Sequence, residues 1–175
     1  MTKRVALITG GMGGLGETIS TKMADAGYTV AVTFSPSNKA SDKWLAAMEK
    51  AGYTFTAVPC DVTDFESSKA CAAAVASQVG AIDILVNNAG ITKDLTFRKM
   101  GKANWDAVMK TNLDSVFNMT KQVYDGMMDR GWGRIINVSS VNDSKGAFGQ
   151  TNYAAAKAGM HGFTKSLALS PPARV

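Results

Sequence analysis

A tyrosine and a lysine near the end of the chain have the spacing of an acid–base pair. Tyr153 and Lys157 are four residues apart in a helical pattern, so both side chains are expected on one helix face. A phenol is a poor acid–base group at neutral pH because its ionised form is costly, and a nearby ammonium stabilises that form. Ser140 lies 13 residues upstream, just after a predicted strand, where its hydroxyl can hydrogen-bond a substrate carbonyl. Taken alone, a Tyr/Lys pair also fits a solvated helix face.

A glycine-rich segment near the start of the chain has the composition of a phosphate-binding turn. From Thr9 to Gly16 it reads TGGMGGLG, between a short apolar run and a helical pattern. Glycine permits a tight turn and lets the backbone approach a pyrophosphate closely, and the amino end of the following helix favours negative charge. A glycine-rich loop without a ligand is the alternative. The strand–turn–helix context favours dinucleotide binding.

Both groups of residues need a scaffold, and alternating apolar runs and helical patterns predict one. Strands are predicted at Val5 to Thr9, Thr29 to Phe34, Phe55 to Val58, Ile82 to Asn87 and Arg134 to Ser139. Helices are predicted at Leu15 to Ala26, Ser41 to Ala51, Phe65 to Val79, around Trp105 to Arg130 and at Tyr153 to Leu169. This alternation predicts an α/β fold, a Rossmann-type doubly wound parallel sheet. Ligands of such a sheet bind at the carboxyl ends of its strands.

The composition is that of one globular domain spanning residues 1–175, with 46% hydrophobic and 19% charged residues. It excludes collagen-like, disulfide-stapled and disordered chains. The apolar runs are too short to cross a bilayer, so no membrane contact is expected. The two cysteines have no metal-ligand spacing, which favours reduced thiols in a cytoplasmic protein and no metal site. The net charge of +5 is dispersed, so no nucleic-acid partner is expected.

Taken together, these motifs resemble the short-chain dehydrogenase/reductase family. The glycine spacing T-G-x-x-x-G-x-G matches that of the family rather than the usual dinucleotide fingerprint. Further family motifs follow in order at Asp61-Val62, Asn87 to Gly90, Asn112, Ser140 and Tyr153 to Lys157. The resemblance covers the chain up to about Leu169. It implies a nicotinamide-dependent oxidoreductase and a homo-oligomer, a tetramer in full-length members.

The resemblance implies catalytic roles for four residues. Tyr153 would donate a proton to the carbonyl oxygen being reduced, and Ser140 would orient and polarise that carbonyl. Lys157 would favour the ionised tyrosine and bind the nicotinamide ribose. Asn112 would hold a water in the proton relay. Ser139 directly precedes Ser140, but the 13-residue spacing to Tyr153 selects Ser140.

The expected cofactor is NADPH, with NADH as the alternative. NAD-specific sites usually place an acidic residue on the ribose after the second strand, and here no acid follows Ser35 before Asp42. Lys39 is the nearest cation, either a phosphate partner or solvated. Asp61 would accept a hydrogen bond from the adenine amino group or cap the next helix. The predicted cofactor contacts are Gly10, Met12, Gly13, Gly14, Leu15, Gly16, Ser35, Lys39, Asp61, Val62, Asn88, Ala89, Gly90, Ile91 and Lys157.

Further segments resemble one branch of the family, the acetoacetyl-CoA reductases, which make (R)-3-hydroxybutyryl-CoA for polyhydroxybutyrate synthesis. They include Phe97 to Met100, Trp105 to Val108, Arg130 to Ile135 and Phe148 to Tyr153. In that interpretation Asp94, Phe148 and Gln150 would line the pocket for an acyl-CoA substrate. The 3-oxoacyl-acyl-carrier-protein reductases of fatty-acid synthesis share many of these segments and are the alternative.

The end of the chain departs from the family pattern. Pro171 and Pro172 are expected to end the last helix, where family members continue with further strands and a loop over nicotinamide and substrate. We therefore expect a domain that lacks the C-terminal strands and the substrate loop of the family, with a sheet that is incomplete at that end. An inactive, truncated dinucleotide-binding fragment is the alternative from another functional class.

Overall fold

Five parallel strands form a single sheet in the computed structural model, which describes residues 3–170. They are β1 (Val5–Ile8), β2 (Thr29–Phe34), β3 (Thr56–Pro59), β4 (Ile82–Asn87) and β5 (Arg134–Asn137). Their order across the sheet is β3-β2-β1-β4-β5. The chain therefore builds outward from β1 to β3 and then returns to add β4 and β5 on the other side of β1. This reversal confirms the predicted doubly wound fold.

Seven α-helices connect or follow the strands of the described chain. They are α1 (Leu15–Asp25), α2 (Ser41–Lys50), α3 (Phe65–Gln78), α4 (Lys102–Met109), α5 (Ser115–Asp129), α6 (Asn142–Lys145) and α7 (Thr151–Ala168). The sequence predicted the strands and the longer helices within a few residues but missed α6 and a 3₁₀ turn at Phe97–Lys99. The expectation that Pro171 and Pro172 end the last helix concerns residues outside the described range.

The helical run predicted around Trp105 to Arg130 contains a π-helical turn at Lys110–Asp114, between α4 and α5. Side chains of this turn bond to carbonyls of the preceding one. The Thr111 hydroxyl donates to the carbonyl of Ala107 (2.8 Å), and the Asn112 amide donates to that of Val108 (3.0 Å). A widened turn of this kind is often found at a functional site. Hydrophobic periodicity gave no sign of it, because the bulge depends on hydrogen bonds rather than on burial.

Successive residues of the central strand enter two separate cores. Val5 and Leu7 pack with residues of α3 and α5, while Ala6 and Ile8 pack with residues of α1 and α2. Leu7 and Ile8 are fully buried, and burial of such a side chain contributes about 1.5–3 kcal/mol. A parallel sheet needs cover on both faces, which explains why its central strands read as continuous apolar runs.

Candidate active site

A cleft of about 710 Å³ opens at the carboxyl ends of the strands. It lies where the strand order reverses between β1 and β4, the position at which a doubly wound sheet binds its ligands. The predicted site residues that line it are Gly10, Gly13, Leu15, Gly16, Ser35, Asp61, Val62, Asn88, Ala89, Gly90, Ile91, Asn112, Tyr153 and Lys157. The fold thus brings together residues from the first and last parts of the chain.

The glycine-rich turn after β1 requires glycine for steric reasons. Gly10 and Gly14 have φ values of +63° and +53°, in the left-handed region that other residues rarely adopt. A Cβ on Gly16 would lie 2.1 Å from the carbonyl oxygen of Gly10, closer than any real contact. Gly14 at the amino end of α1 provides no capping side chain, so the first N–H groups of this helix have no side-chain acceptor. Such an end is suited to binding a phosphate.

Hydrogen bonds join this turn to the end of β4. The Thr9 hydroxyl accepts the N–H groups of Asn88 and Ala89, both at 3.0 Å. The Asn88 amide donates in return to the carbonyls of Thr9 (3.0 Å) and Gly10 (3.3 Å). Asn88 therefore acts on the backbone of the turn, which fixes the floor of the cleft.

Sequence reasoning did not select Thr9 and Thr33 as functional residues. Thr9 is the first residue of the glycine motif, and the sequence analysis assigned it no role of its own. Thr33 lies within a predicted strand and belongs to no motif. The Thr33 hydroxyl accepts the N–H of Gly10 at 3.1 Å and lines the cleft. Other cleft residues that were not predicted as site residues are Cys60, Thr63, Thr92, Thr111, Val138 and Ser139.

Tyr153 and Lys157 lie on the side of α7 that faces the cleft. The Lys157 ammonium is 5.7 Å from the centre of the Tyr153 ring and donates to the carbonyl of Val138 at 2.6 Å. Lys157 is only 3% exposed, and this burial lowers its pKa, while the negative charge of Asp143 opposes that effect. A buried ammonium therefore lies beside a phenol in the wall of the cleft.

The two neighbouring serines differ in their hydrogen bonds. Ser139 lines the cleft, and its hydroxyl donates to the Asp143 carboxylate at 2.7 Å. Ser140, the predicted catalytic serine, is not among the lining residues, and its hydroxyl oxygen accepts the N–H of Asn142 at 3.2 Å. The Ser139 proton is thus engaged, whereas the Ser140 proton has no acceptor among the described hydrogen bonds.

Asn112 holds the loop that follows β4. Its side chain is fully buried, accepts the N–H of Ile91 (3.2 Å) and donates to the carbonyl of Ile91 (2.9 Å). A Cβ on Gly90 would lie 2.5 Å from the Asn112 side-chain oxygen, so this contact needs glycine there. Both side-chain groups of Asn112 are therefore engaged with backbone.

A sequence profile of the short chain dehydrogenase family matches residues 4–172. The chain belongs to the short-chain dehydrogenase family. It is 54% identical over 168 residues to the acetoacetyl-CoA reductase of Cupriavidus necator. The aligned region covers 96% of this chain and 68% of that relative. The acetoacetyl-CoA reductase of Allochromatium vinosum is 53% identical over 166 residues, 94% of this chain and 68% of the relative. The 3-oxoacyl-acyl-carrier-protein reductase of Vibrio harveyi is 43% identical over 171 residues, 98% and 68% respectively.

Membership of the short-chain dehydrogenase family implies a nicotinamide dinucleotide as cofactor, and the glycine turn fits one. A Cβ placed on Gly13 or Gly14 would have no neighbour within 4 Å, so open space lies above the turn. The amino end of α1 faces this space without a side-chain cap. A diphosphate could therefore approach the backbone closely at this point.

Some predicted cofactor contacts of this short-chain dehydrogenase lie outside the cleft lining. Met12 packs against the core between the sheet, α1 and α2, and Lys39 is exposed between β2 and α2. Gly14 is in the turn but not in the lining. The interpretation of Asp61 as a helix cap is wrong, because Asp64 caps α3 by accepting the Ser67 N–H at 2.6 Å.

The predicted substrate residues form a cluster that is not part of the cleft lining. The Gln150 amide donates to the Asp94 carboxylate at 2.8 Å and accepts from Asn142 at 2.9 Å. Phe148 is 92% exposed on the same loop as Gln150. The structure thus brings Asp94 and Gln150 together and leaves the Phe148 ring in solvent.

Two further observations concern metals and membranes. Among residues 3–170, no group of three or more His, Cys, Asp or Glu side chains could hold a metal ion. No helix in this range combines the length and apolarity needed to cross a membrane. The Nε2 atom of His161 lies 3.2 Å from the Asp143 carboxylate.

Proposed function

We propose that this chain reduces the 3-oxo group of acetoacetyl-CoA to (R)-3-hydroxybutyryl-CoA with NADPH, the reductive step of polyhydroxybutyrate synthesis. The observation that carries the proposal is the placement of Tyr153 and Lys157 in the wall of a cleft floored by the glycine turn. The relatives from Cupriavidus necator and Allochromatium vinosum are acetoacetyl-CoA reductases, which supports the choice of substrate.

The bound cofactor would supply the hydride, and the chain's own residues would bind it and move the proton. Gly10 to Gly16 would receive the diphosphate at the amino end of α1. One N–H of the Lys157 ammonium goes to Val138, which leaves two donors for the nicotinamide ribose. Tyr153 would donate its phenolic proton to the carbonyl oxygen as that oxygen gains charge, and the Lys157 ammonium would stabilise the phenolate that results.

The hydrogen bonds of the two serines favour Ser140 as the group that polarises the carbonyl. The Ser140 oxygen accepts from Asn142, which leaves its own O–H available to donate and strengthens it as a donor. The Ser139 O–H is already directed at Asp143. Asn112 would contribute by holding the loop at Ile91 beside the nicotinamide, in addition to its proposed part in the proton relay.

The preference for NADPH rests on the end of β2. Ser35 lies in the cleft wall there, and no carboxylate follows before Asp42 that would repel a 2′-phosphate. Lys39 is exposed nearby and could reach the phosphate. NADH is the alternative, and affinities for the two cofactors measured on the same preparation would decide between them.

The acyl-CoA would lie over the cluster of Asp94, Gln150 and Phe148. The exposed Phe148 ring offers an apolar surface for the short acyl chain or the pantetheine. We also propose a cytoplasmic homo-oligomer, with the tetramer of the family as the expected form. The exposed, stacked rings of Phe65 and Phe117, 6.2 Å apart on α3 and α5, provide an apolar surface that association would cover.

Replacing the proton donor tests the proposed reaction. Tyr153→Phe keeps the ring and removes the hydroxyl, so turnover of acetoacetyl-CoA should fall on the order of 100-fold or more with NADPH affinity nearly unchanged. Tyr124→Phe, which removes the same atom on α5 outside the cleft, is the matched control and should keep the parental rate. The measurement is NADPH oxidation followed by absorbance, together with NADPH fluorescence titration. Near-parental turnover in Tyr153→Phe would refute the assignment, and NADPH binding without any turnover by the parental chain would favour the inactive fragment.

A comparison of thioesters tests the substrate. We expect a higher kcat/KM for acetoacetyl-CoA than for the same acyl group on acyl-carrier protein. Equal or better use of the carrier-protein thioester would instead support the function named for the relative from Vibrio harveyi.

A further inference from the structure

A shielded carboxylate lies behind the wall of the cleft and takes no part in the reaction proposed above. The Asp143 side chain is 2% exposed although α6 lies at the protein surface, because its neighbours cover it closely. Its oxygens accept from the hydroxyls of Ser139 (2.7 Å) and Ser144 (2.6 Å) and lie 3.2 Å from the Nε2 atom of His161. A carboxylate that accepts hydrogen bonds from two hydroxyls is stabilised in its charged form.

These contacts fasten the segment after β5 to two successive turns of α7. The Ser139 hydroxyl, held by Asp143, also lies 3.1 Å from the carbonyl oxygen of Lys157. His161 is one turn further along the same helix. The residue before Ser139 is Val138, whose carbonyl accepts the Lys157 ammonium. Through Ser139, Asp143 therefore holds the segment Val138–Ser139, whose two residues both contact Lys157.

We propose that Asp143 is a positioning residue for Lys157: its carboxylate fixes Val138 and Ser139 against α7 and supplies a negative charge that favours the protonated form of the buried ammonium. The role as a charge partner follows from burial. An ammonium in a 3% exposed side chain loses hydration, and a fixed negative charge nearby compensates for part of that loss.

The direction of the pKa shifts agrees with this geometry. Burial lowers the pKa of Lys157, and the charge of Asp143 acts against that lowering. The hydrogen bonds from Ser144 and Ser139, with a smaller contribution from His161, hold the pKa of Asp143 below its ordinary value. Among the described residues, the titratable groups beside the pair are Tyr153, next to Lys157, and His161, next to Asp143, both on α7. Asp61 and Cys60 line the same cleft as Lys157.

Titration of Lys157 itself tests the proposal without requiring turnover. The full chain would be labelled with [¹³Cε]lysine, and the Lys157 signal would be assigned by its loss in Lys157→Arg. In Asp143→Asn the titration midpoint of Lys157 should move to lower pH, because the charge is lost while the shape is kept. Asp143→Glu retains the charge and should restore a midpoint close to the parental one. Asp125→Asn, at an exposed carboxylate paired with Lys121, is the matched control and should leave Lys157 unchanged.

A second experiment measures NADPH binding as a function of pH. It rests on the proposed function, because it uses NADPH as the ligand. Loss of a charged donor to the ribose weakens binding about tenfold. NADPH binding should weaken as the pH rises and Lys157 loses its proton. In Asp143→Asn this weakening should begin at a lower pH than in the parental chain. If the parental chain binds no NADPH, the proposed function fails, yet the lysine titration still decides the role of Asp143.

An unchanged Lys157 midpoint in folded Asp143→Asn would overturn the proposal and leave Asp143 a purely structural tie. Should that variant not fold, Asp143→Ser removes the same charge with a smaller side chain and a hydroxyl that can still bond Ser139. A parental midpoint in folded Asp143→Ser would overturn the proposal equally. A lowered midpoint in either neutral variant, reversed in Asp143→Glu, would support it.

Discussion

The two walls of the cleft are built by different means. On the β1 side, the glycine turn is fixed by backbone sterics and by hydrogen bonds to its backbone, such as those of Asn88 with Thr9. On the β5 side, Lys157 and Ser139 are held by hydrogen bonds of their own side chains to Val138 and Asp143. β1 is buried throughout, whereas β5 pairs only with β4 among the strands of residues 3–170 and leaves Ile136 47% exposed.

This difference predicts how each wall responds to change. The β1 wall has little freedom, since a single methyl group on Gly16 would collide with the backbone of Gly10. The β5 wall depends on charges and hydroxyls, so solution conditions and conservative substitutions should alter it gradually. We therefore expect substitutions that add atoms to have very different effects in the β1 wall and on the β5 side. A change of pH should act mainly on the β5 wall.

Adding one methyl group in each half should give the largest contrast. Gly16→Ala places a Cβ 2.1 Å from the Gly10 carbonyl, and relieving the overlap should cost about 1–3 kcal/mol of unfolding free energy and abolish NADPH binding. Gly162→Ala on α7 has nothing within 4 Å and should stabilise the chain by about 0.5–1 kcal/mol. Urea unfolding and fluorescence titration measure both. Equal effects of the two variants would contradict the comparison.

Removing one hydroxyl from each half should give an intermediate contrast. Thr9→Val leaves two N–H groups at the end of β4 without their acceptor, which should cost about 1–3 kcal/mol. Thr164→Val on α7 removes an exposed bond from the Asn137 amide and a partly buried bond to the Met160 carbonyl, and its effect should stay within about 0.5 kcal/mol. Thermal and urea unfolding would measure the two losses. A larger loss in Thr164→Val would show that the β5 wall is the more rigid one.

The smallest effect should be the acid response of the β5 wall. Because hydrogen bonds from Ser144 and Ser139 lower the pKa of Asp143 in the folded state, the unfolded chain binds more protons at acid pH. Stabilisation by Asp143 is therefore present above its ordinary pKa and is lost as the pH falls through the folded value. The difference in unfolding free energy between the parental chain and Asp143→Asn should shrink as the pH is lowered from neutral through the carboxyl range. A difference that does not vary with pH would argue against a charged Asp143.

Local patterns were sufficient for the scaffold and for the β1 wall. Short apolar and β-branched runs predicted all five strands, and the signal is clearest for a strand buried on both faces, such as Val5 to Ile8. The glycine turn was recognisable for a similar reason. Only glycine meets its conformational and steric demands, so Gly10 and Gly16 had to appear in the sequence itself.

The spacing of Tyr153 and Lys157 was likewise sufficient to predict that both lie on one helix face, since an α-helix repeats every 3.6 residues. The π-helical turn that carries Asn112 was not predictable in this way. Asn112 in this turn bonds to Ile91, 21 residues away on the loop after β4, as well as to the carbonyl of Val108 in the preceding turn. Hydrophobic periodicity records burial and contains no information about such bonds.

What the sequence determined by itself is therefore the order of strands and helices and the residues confined to one choice by backbone geometry. The tertiary structure alone decided that Thr33 supports the glycine turn and that Ser139, held by Asp143, lies against Lys157. The physical reason is distance along the chain. Thr33 is 23 residues from Gly10 and Ser139 is 18 residues from Lys157, so each contact forms only when the sheet and its helices have packed.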